Sequence, residues 1–544
     1  MITFTYDGEK INLEKPISAG DYIRLIGKND SVLACKVNGN IKPVDYILKD
    51  GDSVYPLTIS NDEGYLIYKE SLILLFLHAA EQIIGANTVF VRQSVNKSTY
   101  FEIDTNENKE SLISSIKSKM QEIIKDDEQF YSLKLKRTVA AELFRQNGEE
   151  EKAREIDSLP CEIITVCKTA KRYHLTYQPI SYSVRALGVF DIKPYDDGFL
   201  LKYPTNYTVN TIPQIKSGLK VHNAIEDYRD WISTVGVQNI FSLNETIRQK
   251  KASELVNMAE GLHEKRISRI ADKIKESPQI KIILIAGPSS SGKTSFANRL
   301  CLHLKINHLN PVVISLDDYY VDDTRMPRDE KGEMDFECVE AIDYELFNEH
   351  LSRLAAGESV TLPRYDFKIR KRVEGKTLTL GENQIIIAEG IHALNELLTS
   401  RVQRENKYKI YLSCLTSLCL DEYNAFSPTD NRLLRRMVRD ASYRNTPAEV
   451  TFKLWQSVRK GEQKYIFPFE SEADEVFNSS LVYELAVLKK PAMELLSAIS
   501  KDSEYYSRAK RLIKLLSYFE EFDPSPIPPT SIIREFIGGS TIVH

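Results

Sequence analysis

Ile282-Ile283-Leu284-Ile285-Ala286 followed by Gly287-Pro288-Ser289-Ser290-Ser291-Gly292-Lys293-Thr294-Ser295 reads as an apolar strand that delivers a GxxxxGK[ST] loop to the start of a helix. The glycines let the backbone curl so that successive N–H groups face phosphate oxygens, and the helix adds the positive end of its dipole. Lys293 then neutralises the β- and γ-phosphates, and Thr294 ligates Mg²⁺. Gly287, Ser289, Ser290, Ser291, Gly292, Lys293, Thr294 and Ser295 therefore form the candidate nucleotide site. The helical stretch Phe296 to Leu300 completes the strand–loop–helix context that the motif requires. ATP and Mg²⁺ are the expected cofactors.

Downstream segments supply an acceptor side. Val312 to Leu316 is a second buried-strand pattern, and Asp317-Asp318-Tyr319-Tyr320 follows it at the carboxyl edge, where open α/β sheets bind ligands. A carboxylate there accepts a hydroxyl proton. A third strand, Gln384 to Ala388, ends in Glu389, placed to hold Mg²⁺ through water. Either carboxylate taken alone also suits a helix cap or an ion pair. Arg432, Arg435, Arg436 and Arg439 recur at i, i+3, i+4 and i+7 and share one helix face. Such a row closes over a triphosphate and stabilises the charge of a transferring phosphoryl group, or else forms a basic solvated face paired with Asp430, Asp440 or Asp421.

The chain has 544 residues, beyond the roughly 250–300 at which single cores stop growing, so several domains are expected. A net charge of −5 with 27% charged residues of mixed sign excludes a global polycation for nucleic acid, so any RNA contact is local. The longest apolar run, Leu72 to Leu77, falls well short of the ~20 residues of a membrane span, and no charged-then-apolar leader opens the chain. The reading is a cytoplasmic protein without membrane contact. Seven cysteines without a CxxC pair suit reduced thiols and make no structural zinc site.

Toward the N-terminus, Ile2 to Tyr6 and Lys10 to Leu13 flank Asp7-Gly8 as a hairpin, and Asn38-Gly39 repeats that signal. With the ending DGDSVYPLT, residues 1–60 resemble the TGS domain, a β-grasp module. Residues 61–225 resemble the second N-terminal domain of threonyl-tRNA synthetase, whose editing pocket uses HxxxH with a later Cys and His. Here His78 holds the first position and Gln82 the second, while Thr176 and Ile180 stand where the Cys and His belong. One imidazole with Gln, Thr and Ile is a poor metal or hydrolytic site, so this α+β domain is read as a retained scaffold with a degenerate site. A helix is expected over Thr138 to Ile156. Residues 226–279 show helical periodicity and read as a connector.

The motifs GPSSSGKTS, SLDDYY, MDFECVEAID, LPRYDF, IIAEGIHAL, DNRLLRRMVRD and EADEVFNSS resemble, in order and spacing, the uridine kinase and phosphoribulokinase family. The resemblance implies a P-loop kinase domain over 280–500, with a parallel sheet flanked by helices, and the whole chain as an α/β multidomain protein. It further implies Asp317 as the base for a ribose 5′-hydroxyl, with Lys293, Arg432 and Arg435 neutralising charge. Tyr320, Phe336 and Tyr365 pack near the nucleoside, Glu337 and Arg432 bind ribose hydroxyls, and Thr294 and Glu389 manage the metal. Arg370 replaces the family's base-reading histidine, which leaves the acceptor open. The implied partner is a small nucleoside, most naturally uridine or cytidine. A phosphorylated sugar, met by Arg364, Arg370, Lys371 and Arg372, and a nucleotide-dependent switch with RNA contact through the N-terminal half remain as alternatives, and the resemblance leaves room for homo-oligomerisation. Residues 501–544 dock either on the kinase core or on a partner.

Overall fold

The computed structural model describes residues 2–27, 31–85, 88–95, 98–105, 108–214, 218–329, 332–366, 369–381 and 383–542. Phe367, the last residue of LPRYDF, lies outside them. At the centre of the C-terminal half is a five-stranded parallel sheet in the order Asn310–Ser315, Gln384–Glu389, Ile282–Ala286, Lys407–Ser413, Glu475–Asn478. Its middle strand, IILIA, is buried throughout. Such a continuous apolar run suits a strand covered on both faces. Ile283 and Ile285 join one core, which holds Phe296 and Leu300 of the helix Lys293–Ile306. Ile282, Leu284 and Ala286 join a second core with Tyr319, Tyr320, Phe347 and Leu351. The period of two therefore sends alternate residues to two helical layers.

The N-terminal segment forms a five-stranded mixed sheet, Glu9–Leu13, Ile2–Tyr6, Ser53–Thr58, Val32–Val37, Asn40–Lys42, with the helix Ala19–Leu25. Both hairpin turns use left-handed backbone: Asp7 and Gly8 have φ of 49° and 87°, and Asn38 and Gly39 have 48° and 73°. These signs at both central positions are those of the two-residue turn that matches strand twist. A long helix, Asp62–Ile84, leads into a four-stranded antiparallel sheet (Asp191–Tyr195, Gly198–Lys202, Ser98–Ile103, Val89–Val95) and a three-stranded one (Tyr173–Leu175, Ile163–Lys168, Tyr131–Lys136). Among the described residues no helix is long and apolar enough to cross a membrane.

The helix expected over Thr138 to Ile156 is two helices, Arg137–Gln146 and Glu150–Asp157. Gly148, at φ +80°, ends the first, and the N–H groups of Gly148 and Glu149 turn back to the carbonyls of Arg145 and Phe144 at 3.0 Å each. A left-handed glycine of this kind caps a helix and stops its propagation. Three helices follow, Leu219–Thr234, Ile240–Arg248 and Ala252–Lys275.

One core joins these parts. Phe144 and Ile164, then Leu255 and Ile267, then the sheet's Ile283 and Ile285 pack in a single cluster with Ile527, Ile532, Ile533 and Phe536. The C-terminal segment thus docks on the parallel sheet's own core. Phe536 is fully buried, with the Arg435 guanidinium 4.9 Å from its ring centroid. Phe536→Ala is expected to lower the unfolding free energy by about 3–5 kcal/mol, measured by denaturant titration followed by circular dichroism.

Candidate active site

The loop after Ile282–Ala286 curls as its sequence demands. Ser290 and Gly292 take φ of 60° and 89°. A Cβ at Gly287 would run into the carbonyl of Leu412, so the backbone approach there admits only glycine. Lys293 folds back over the loop and donates from Nζ to the carbonyls of Gly287 (3.0 Å) and Pro288 (3.3 Å). The buried hydroxyls of Ser290 and Ser291 have no hydrogen-bond partner among the described residues. A curled loop with a lysine ammonium at its centre, orphaned hydroxyls and a helix N-terminus suits a phosphate chain. Thr294 is exposed at the helix start, open to a metal-bound phosphate. Ser295 is buried, and its hydroxyl donates to Glu535 of the C-terminal segment at 2.6 Å.

The helix Pro428–Arg444 lies against this loop. Its N-cap, Ser427, accepts from the Asp430 N–H, and proline opens its first turn, which pins the start of the arginine row. Arg432 donates from Nη1 to the Ser289 carbonyl at 3.1 Å, and Arg436 donates to the Ser289 hydroxyl at 2.8 Å. Arg432 is buried and paired bidentately with Glu462, itself fully buried. Glu462 is held ionised by that guanidinium and by Arg459 in spite of its burial. Arg435 points to Glu484 and to the Ser479 carbonyl, at 2.9 Å each, and reaches the loop by way of Ser479, whose hydroxyl donates to the Ser291 carbonyl at 2.5 Å. Arg439 pairs with Asp440 at 2.8 Å. The single row on the helix is thus divided among different partners.

Glu389 ends one strand of an adjacent parallel pair and Asp317 lies in the turn just after the other, the register placing Ser315 opposite Glu389. Glu389 is buried and accepts from the Ser315 hydroxyl at 3.1 Å. Burial and the Asp317 charge push its carboxyl up to about 7, against the pull of Lys293. Asp317 is open to solvent at the surface of the cleft. The surrounding protein raises its carboxyl and Lys293 lowers it, with water moderating both. The two carboxylates therefore differ in environment around one lysine.

Beyond Asp317, Tyr320 is the hub of the predicted aromatic set. Its ring packs edge-on against Phe336 (centroids 5.5 Å, 86°) and Tyr365 (5.6 Å, 66°), and its hydroxyl donates to the Phe336 carbonyl at 3.1 Å. Asp318 accepts the Tyr365 N–H at 3.2 Å and so ties the hairpin Val360–Asp366/Lys371–Leu378 to the SLDDYY turn. Glu337 is half-buried beside Gly461, where a Cβ would strike its side chain. Burial, with Glu462 and Asp335 adding and Arg436 and Lys293 opposing, pushes Glu337 up to about 7. His392 of the IIAEGIHAL segment is buried, its ring 6.0 Å from Tyr465, and burial holds it neutral by lowering it to about 4.

Sequence reading did not find Glu462 or Asp318's tie to Tyr365. Glu462 lies on a short widened helical turn, Glu462–Ile466, with no motif around it; Asp318 was visible only as a neighbour of Asp317. A separate cavity of about 580 Å³ shares Arg432 with this site, but none of Asp317, Tyr320, Phe336, Glu337, Tyr365 or Glu389 lines it.

Residues 282–485 match the Phosphoribulokinase / Uridine kinase family. Over 176 residues the chain is 30% identical to a uridine kinase of Ureaplasma parvum serovar 3, covering 32% of this chain and 76% of that relative. The chain belongs to the phosphoribulokinase/uridine kinase family. It is accordingly a kinase, a phosphotransferase enzyme. A uridine kinase of Vibrio vulnificus is 32% identical over 204 residues, 37% of this chain and 88% of its own length. A structure described as a possible uridine kinase from Bacillus stearothermophilus is 20% identical, covering 38% of this chain and 97% of its own, with a TM-score of 0.26.

Two outcomes are expected. Glu462→Gln leaves Arg432 buried without its counter-charge and lowers stability by about 3–5 kcal/mol, read from urea melts. Because the folded chain holds the Glu337 proton above its ordinary value of 4.5, that part of stability is complete below pH 4.5 and is lost as pH rises through about 7. Relative to the parent, Glu337→Gln therefore gains stability across that window, measured by melts at successive pH values; an unchanged difference between the two proteins would refute the assignment.

Proposed function

We propose that this kinase transfers the γ-phosphoryl group of ATP to the 5′-hydroxyl of a nucleoside, with uridine or cytidine as acceptor. The observation that supports this reading is the convergence at one sheet edge of Lys293, Asp317 and Glu389 with the packed trio Tyr320, Phe336 and Tyr365. When bound, ATP supplies the phosphoryl group and Mg²⁺ spreads its charge. Thr294 and Glu389 would hold the metal. The backbone of Gly287 to Ser295 and the Lys293 ammonium bind the phosphates. Asp317 accepts the acceptor hydroxyl's proton, and its solvent-open carboxylate lets that proton leave. Glu337 and Arg432 hold the ribose hydroxyls, while Arg435 acts on the phosphate loop by way of Ser479. The aromatic trio admits a flat base by stacking and shape.

The same reading assigns residues 1–60 to a TGS-like β-grasp module, 61–225 to a synthetase-like scaffold, 226–279 to a helical connector, 280–500 to the kinase and 501–544 to a C-terminal tail. RNA contact belongs, in this reading, to the N-terminal half, the place of action is the cytoplasm, and self-association accompanies it. The test is ATP-dependent phosphorylation across a panel of nucleosides and sugar phosphates, products identified by mass. Uridine or cytidine is expected to be converted, and Asp317→Asn to lose about 10²–10⁴-fold in rate while still binding ATP. Conversion of an anionic sugar in preference to every nucleoside, or ATP binding with no acceptor at all, would overturn the assignment.

A further inference from the structure

The second cluster of chemistry in this chain lies in the N-terminal half and joins His78 to two side chains, Glu81 and His174, that the synthetase resemblance does not name. The helix Asp62–Ile84 carries His78 and Glu81 three positions apart and so on one face. The strand Tyr173–Leu175 brings His174 against them. One ligand atom from each of the three lies within 4.8 Å of the others. His174 Nε2 and Glu81 Oε2 are 3.6 Å apart, too long for a hydrogen bond and close to the edge of a tetrahedral metal site with ligands at ~2.0–2.2 Å.

Each of the three residues presents a buried atom with no hydrogen-bond partner among the described residues: His78 Nδ1, Glu81 Oε2 and His174 Nε2. Both imidazoles are buried, and a polar atom taken from water without a partner is costly. Glu128 lies 2.9 Å from His78 Nε2, and the Gln82 amide 3.0 Å from the same nitrogen, which leaves Nδ1 unengaged. Arg172 takes the other oxygen of Glu81 at 3.5 Å while pairing with Glu149 at 2.9 Å. A carboxylate on a ligating histidine is the usual outer support of a metal site.

We propose that His78, Glu81 and His174 hold one divalent transition-metal ion of the zinc class. Two imidazoles and a carboxylate suit zinc rather than the oxygen-seeking Mg²⁺ of the kinase site. Three protein ligands leave a fourth position for water. A cavity of about 20 Å³ lined by His174 and Thr176, room for one water, adjoins the cluster, and the buried Thr176 hydroxyl has no partner among the described residues. Gln82 and Thr176, which in sequence marked the pocket as degenerate, thus surround a different ligand set.

The full chain, stripped with a chelator and dialysed against Zn²⁺, is expected to retain one equivalent by elemental analysis. Titration with Co²⁺ is expected to give the intense visible bands of a tetrahedral site without a thiolate charge-transfer band. His174→Gln and His78→Ala are each expected to weaken Zn²⁺ binding at least ~100-fold, and His303→Ala, at a remote position, to leave it unchanged. Zinc retained in both cluster variants, no stoichiometric zinc in the parent, a thiolate band, or the weak spectrum of six-coordinate cobalt would overturn the proposal. Should either substitution prevent folding, the cobalt spectrum of the parent chain decides.

Discussion

Two buried guanidinium–carboxylate pairs, Arg432 with Glu462 and Arg435 with Glu484, fasten the helix Pro428–Arg444 to the phosphate loop, and the arrangement of the catalytic half depends on them. All four groups are almost wholly removed from water. Their desolvation is repaid by paired geometry and by further bonds to Ser289 and Ser479. A loop of glycines and serines has many conformations available. Here its carbonyls at Ser289 and Ser291 are gripped from the helix side, which restricts the curl before any ligand arrives.

The grip extends to the end of the chain. Phe536 packs on Arg435, Glu535 accepts from Ser295, and Ile532 stands so close to Gly292 that an added Cβ would lie 2.6 Å from its Cγ2. The C-terminal segment is therefore a wall of the phosphate-binding helix start. Glycine at 292 serves both its left-handed φ and this close packing. The continuous core that joins Phe144, Ile267, Ile285 and Phe536 means that the stability of the catalytic half is shared with segments far away in sequence.

Around Lys293 the chain places carboxyls in graded environments: Asp317 open to water, Glu337 half-buried, Glu389 buried. Groups of one chemical type thereby acquire different proton affinities. The same principle works in the N-terminal half, where burial strips protons from His78 and His174 and pushes Glu81 up to about 7. In each place the fold, rather than the residue type, sets which form of the side chain is present.

The strands of the kinase sheet were legible because uninterrupted runs such as IILIA and QIIIA have no polar residue to turn toward solvent, and a strand buried on both faces follows from that alone. The phosphate loop was legible because its glycines meet local backbone requirements. The hairpins at Asp7-Gly8 and Asn38-Gly39 were legible for the same reason. The break at Gly148 was hidden because helical periodicity continues across it and only the backbone sign there reveals the cap. Periodicity set the four arginines on one helix and placed Asp440 within reach of Arg436 and Arg439, yet Arg432 and Arg435 take their partners from residues 289, 462, 479 and 484, which spacing along the helix does not encode. Likewise a motif position showed His78 but not Glu81 and His174, since a strand nearly a hundred residues away supplies the third group. The sequence by itself determined the hairpin turns, the curled glycine loop and the buried strands, because these depend on neighbours in the chain. Only the tertiary structure decided which charges are paired, which carboxyls keep their protons and where the C-terminal segment rests, because these depend on burial and on contacts between residues far apart in the chain.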